Sequence, residues 1–165
     1  MRWSLIKKRY EPFLAPVLAG RIALHSTRYR HAHDGEGRGW ITLDGEEIAT
    51  FESIPYFVRT YRLGVELAAA GLESHEAWEK AIEIAHREGL FYMWDFQTAV
   101  LEYPDLSIDD ALASSDTIKR ALAMLDRRLG RRRLQSLELS PDEHELVTRF
   151  HTLRRTAHGL PAAST

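Results

Sequence analysis

Arg21 to Phe51 reads RIALHSTRYRHAHDGEGRGWITLDGEEIATF, and its first ten residues alternate in period two. Ala23, His25, Thr27 and Tyr29 fall on one face of an extended strand, and Ile22, Leu24, Ser26, Arg28 and Arg30 on the other. Gly35, Gly37 and Gly39 mark a loop, after which Trp40 to Leu43 forms a second strand. Asp44-Gly45 is a tight-hairpin dipeptide, because both residues tolerate positive φ, and it leads into a third strand from Glu47 to Phe51. The spacing predicts a three-stranded antiparallel meander.

Outside this segment the apolar period lengthens to that of helices. Upstream, Ser4 is placed to cap a helix carrying Leu5, Ile6, Tyr10, Phe13 and Leu14, limited by Pro12, Pro16 and Gly20. Downstream, Ser53 precedes a stripe of Ile54, Phe57, Val58, Tyr61, Val65 and Leu72 that ends near Gly71. Ser74 opens a helix with Trp78, Ala81, Ile82 and Ala85 inward and a Glu83–Arg87 pair outward, closed by Gly89. Leu90 to Tyr103 is apolar nearly all round, and its length and helical surroundings favour a helix over a strand. Ser107 and Asp110 have capping-box spacing, and a helix from about Ser115 carries Ile118, Leu122, Leu125 and Leu129 to Gly130. Ser140-Pro141-Asp142-Glu143 signals the start of a last helix that buries Leu146, Val147, Phe150, Leu153 and Ala157 before Gly159. The expected fold is one α+β domain over residues 1–159, with 160–165 as a flexible tail. It has an N-terminal helix, the β-meander, and a helical C-terminal two-thirds packed on one sheet face.

Composition narrows the chemistry. The chain has 165 residues, 44% hydrophobic and 28% charged, enough to bury a core and too apolar for global disorder. Its net charge of −2 argues against a general polyanion binder, so nucleic-acid binding would have to come from a local patch. Absence of cysteine excludes disulfides, thiolate metal sites and a Cys nucleophile. No apolar run approaches the roughly 20 residues of a membrane span. In MRWSLIKKRYEPFLAPVLAG the residues Lys7, Lys8, Arg9 and Glu11 interrupt what would be a leader's apolar core, so a cytoplasmic, soluble protein is expected.

Two stretches, GRIALHSTRYRHAHDGEGRGWITLDG (20–45) and RALAMLDRRLGRRRL (120–134), resemble a bacterial family of conserved proteins without an assigned function. The resemblance implies a small cytoplasmic bacterial protein, and it supplies neither catalytic residues nor a ligand.

Three clusters could carry chemistry. His31, His33 and Asp34 are suitable ligands for a divalent transition metal such as zinc or manganese, with His25 as a further donor. Arg28, Arg30 and Arg38 could converge at the root of the hairpin and hold a phosphate or carboxylate bidentately, with Tyr29 and Trp40 as stacking surfaces. Lys119, Arg120, Arg127, Arg128, Arg131, Arg132 and Arg133 form a basic run around the expected helix end at Gly130, where cations complement the helix dipole. Asp95, among Met93, Trp94 and Phe96, is a candidate buried acid. GEGRG matches neither a dinucleotide-binding nor a P-loop pattern, and no GxSxG elbow or nucleic-acid-binding motif is present. The sequence favours a binding or interaction protein that needs no cofactor and uses its arginine surfaces for an anionic ligand or acidic partner. The alternative is a metal-dependent phosphoesterase or nuclease built on the His/Asp loop.

Overall fold

A computed structural model describes residues 2–30 and 35–161. Helix α1 (Trp3–Tyr10) runs into a 3-10 turn, Glu11–Phe13, and is followed by β1 (Ile22–Arg28), β2 (Gly37–Leu43) and β3 (Glu46–Glu52). The rest is helical: α2 (Ser53–Ala69), α3 (Ser74–Arg87), α4 (Met93–Glu102), α5 (Ile108–Leu112), α6 (Thr117–Leu125), α7 (Arg131–Ser136) and α8 (Glu145–Ala157). The architecture is α+β, as the pattern predicts. No helix among the described residues is long and apolar enough to cross a membrane.

The sheet is an antiparallel meander in the order β1-β2-β3. Asp44 and Gly45 turn the second hairpin at φ +52° and +89°, the double positive φ for which that dipeptide is suited. Ile22, Leu24, Ile41, Ala49 and Phe51 bury the face that α4 crosses, and Phe96 of α4 stacks on Phe51 with ring centroids 4.3 Å apart. Gly37 and Gly39 belong to β2 rather than to the loop. A Cβ on Gly39 would strike the Phe96 ring, so the bare backbone is what lets α4 lie close.

Several helix boundaries differ from the expected ones. Arg2, not Ser4, precedes α1, and no side chain caps it. Ser53 lies inside α2, where its hydroxyl accepts a hydrogen bond from the Gly37 N–H at 3.2 Å. Helix α6 stops at Leu125, so Leu129 packs from a turn and Gly130 precedes α7. Helix α8 starts at Glu145 behind His144, while the Ser140 hydroxyl accepts from the Asp142 N–H in a preceding turn. Ser107 caps α5, its hydroxyl accepting from the Asp110 N–H and donating to the Asp110 carboxylate in place of the reciprocal backbone bond of a full capping box, and the Glu83–Arg87 pair forms as expected.

A polar clasp joins the two ends of the chain. The isolated bridge between Leu14 and Asp126 is flanked by bonds from Ala15 N–H to Leu125 O (2.9 Å) and from Arg127 N–H to Phe13 O (2.7 Å). At its centre the buried Asp126 carboxylate accepts from the Tyr103 hydroxyl (2.7 Å), from Arg128 Nε and Nη2 (2.9 and 2.7 Å) and from the Arg128 N–H (2.6 Å). Burial, then the Asp126 charge, pushes the Tyr103 phenol far up, so it stays a donor.

Candidate functional site

The strand register separates the hairpin arginines. Arg28 pairs with Gly37 and Thr27 with Arg38, so Arg28 points to the helix-covered face and Arg38 to the outer one. β1 ends at Arg28, which leaves Arg30 exposed beyond the strand. The expected convergence of three guanidiniums is therefore not formed: an odd offset across the ladder places the third on the wrong side. Arg28 lies 4.6 Å over the Trp94 ring and has no carboxylate partner among the described residues. Arg38 is engaged internally by Glu47, by Glu52 at 3.0 Å and by the Thr50 hydroxyl at 3.1 Å, and it covers Trp40 at 5.2 Å. The half-buried Trp40 also stacks on His25, 4.9 Å away and 10° from parallel. Burial, then the Glu52 charge, raises the Tyr29 hydroxyl.

His31, His33 and Asp34 lie outside the described residues. His25 faces the outer sheet surface, with its Nε2 3.0 Å from the Thr42 hydroxyl. Among the described residues no group of three or more His, Asp or Glu side chains is arranged to hold a metal ion. Asp95 is not buried: its carboxylate is 43% exposed in the first turn of α4, 3.7 Å from His86 Nε2.

The basic run divides into spent and free charges. Lys119 pairs with Glu102 (2.6 Å), Arg120 with Glu143 (3.0 Å), Arg128 with Asp126, and Arg133 with Asp109 (2.5 Å). Arg127, Arg131 and Arg132 are exposed and form no ion pair among the described residues. Their setting reverses the expected electrostatics. Arg131, Arg132 and Arg133 occupy the first turn of α7, and the N-terminal end of a helix dipole disfavours cations.

A polar cleft of about 410 Å³ opens between α3, the start of α6 and the turn before α8, and sequence spacing does not announce it. Glu83, Arg87, Arg120, Glu143 and His144 line it, with the first four engaged in ion pairs of their own. His144 Nδ1 accepts the Leu146 N–H at 3.0 Å and its Nε2 donates to the His86 carbonyl at 2.7 Å, which fixes one neutral tautomer. The only sequence hint is a histidine four residues past a serine that looks like the cap.

Burial lowers the pKa of His25, His151 and His158, with Lys7, Arg155 and both Arg154 and Arg131 adding respectively to the effect. For His151 a Leu134 backbone hydrogen bond opposes it. Because each folded-state value lies below the unfolded one, the unfolded chain binds more protons as pH falls through about 6.5. Stability is thus expected to be flat above neutrality and to decline below it. Urea melts at pH 7.5 and 5.5 should show the loss, and His151→Phe should reduce it; a variant slope equal to wild type would discount His151.

No curated protein and no solved structure matches the chain. Residues 2–155, which include both stretches singled out at 20–45 and 120–134, match the profile of the SF0329 protein family, and the chain belongs to that family.

Proposed function

We propose that the protein is a binding and interaction protein that grips an acidic partner through arginines that have no carboxylate partner among the described residues. Arg127, Arg131 and Arg132 form the principal surface, and Arg28 with Arg30 at the hairpin end forms a second. The observation that carries this reading is the placement of Arg131 and Arg132 in the first turn of α7. Stability alone favours acidic residues there, so cations at that position oppose the local electrostatics and are explained by something outside the chain. Arg28 supports the second surface, since stacking on Trp94 fixes the guanidinium and no carboxylate among the described residues takes its N–H fork.

Fluorescence anisotropy with a labelled polyglutamate peptide tests the proposal. R127E/R131E/R132E is expected to weaken binding about tenfold or more, with the wild-type affinity falling steeply as salt rises. The same variant should melt at the wild-type temperature or ~1–3 °C above it, because acid at a helix start is favourable. Equal peptide affinity for variant and wild type would refute the α7 surface. R28A/R30A separates the contribution of the hairpin.

A further inference from the structure

Helix α2 presents two faces, and only one is covered. Tyr56, Thr60, Leu63 and Gly64 are buried, and Trp78 of α3 stands over Gly64, where an added Cβ would meet the ring at 3.1 Å. The stripe that the sequence marks as the core side points the other way: Ile54, Val58, Tyr61 and Val65 are 47%, 56%, 67% and 54% exposed. Trp78, expected inward, is 43% exposed at the border of this stripe, and Ala77 takes its place in the core. Leu5 is the other large apolar side chain so exposed among the described residues, so the rest of the exposed set is gathered on one helical hairpin. Scattered surface apolars are ordinary, but a contiguous stripe marks an interaction surface.

We propose that α2 is a dimerisation helix, its stripe docking on the same stripe of a second copy so that the two α2–α3 hairpins form an antiparallel four-helix bundle. The positions advance by four, three and four residues, the alternation of a coiled-coil seam, and a second copy supplies that spacing by necessity. A twofold axis between Val58 and Tyr61 sets Ile54 against the partner subunit's Val65, and Val58 against the partner subunit's Tyr61. Arg59 remains tied to Glu88 of its own chain at 2.5 Å. A helix of 17 residues is about 25 Å long, so a face two helices wide, ~20 Å, covers on the order of 500 Å², below the ~800 Å² per partner of a standard interface and suited to a weak, concentration-dependent dimer.

Sedimentation equilibrium of the full chain over about 1–200 μM decides the matter. The expected result is a concentration-dependent dimer whose dissociation constant rises about 30-fold or more in V58E and in Y61E. Both variants should keep the wild-type circular dichroism, because both side chains already face solvent in the monomer. A wild-type chain that stays monomeric throughout overturns the proposal and leaves the seam to a different protein. A dimer untouched by either variant overturns it as well.

Discussion

Asp126→Ala is expected to destabilise the protein by about 3–5 kcal/mol, toward the lower figure, a fall of roughly 10 °C in Tm. The carboxylate is fully buried and accepts four hydrogen bonds, three of them from Arg128. Without it, the Arg128 guanidinium keeps its bond to the Leu106 carbonyl at 2.7 Å and its position 4.3 Å over Phe13, yet has no counter-charge. Arg128 retains 29% exposure, and solvent at that edge moderates the cost. Arg154 adds to it: the side chain is 2% exposed, its Nε and Nη1 find no hydrogen-bond partner among the described residues, and burial disfavours a charge that Asp126 supports. A double variant, D126L/R128M, should recover part of the loss, because an apolar pair leaves no buried charge stranded. Urea denaturation followed by tryptophan fluorescence measures both. A loss below about 1 kcal/mol for Asp126→Ala would remove the clasp from any account of stability.

The second large effect is expected at Gly37. A Cβ there would overlap the Thr27 carbonyl oxygen and stand 2.9 Å from Arg28 Cα and 2.8 Å from Met93 Sδ. Two of those neighbours are backbone atoms of the adjoining strand, which cannot rotate away as a side-chain tip can. Gly37→Val should therefore cost about 3 kcal/mol or more, at the upper end of overpacking, and open the β1–β2 ladder where it meets α4. Gly130→Ala is the control, since an added methyl meets nothing within 4 Å. Matching urea midpoints for the two variants would show that the strand tolerates a side chain at position 37.

These sites show which parts of the molecule are legible from residue order. The sheet is legible because its determinants are local: the large apolar Ile22 and Leu24 alternate with Ala23 and His25, and Asp44-Gly45 specifies its own turn. Helix α2 is legible as a helix, but its strongest periodic stripe is the uncovered one. Periodicity reports that a face is apolar, and only the neighbouring elements determine what lies on it. The start of α8 was contested between two nearby caps, and His144 took the helix N–H groups while Ser140 closed a turn. The arginine site failed for a different reason. Spacing along β1 and β2 fixes the side-chain period, whereas whether Arg28 and Arg38 share a face depends on the register across the ladder, and the register separates them. Asp126 is the extreme case: within DRRLGRRR it looks like one acid in a basic run, and its partners Tyr103 and Leu14 are distant in sequence.

The clasp also orders events in time. Tyr10 donates to the carbonyl of Leu122, a partner made 112 residues later. At ~5–20 residues per second, the amino-terminal helix waits on the order of 6–20 s during synthesis before its docking site leaves the ribosome. For that interval Tyr10 and Leu14 lack their partners at Leu122 and Asp126, and α1 has only α4 and Tyr103 to pack against once those emerge. Closure of the clasp is therefore a late folding step, timed by the emergence of the segment around Leu122 and Asp126 rather than by α1 itself.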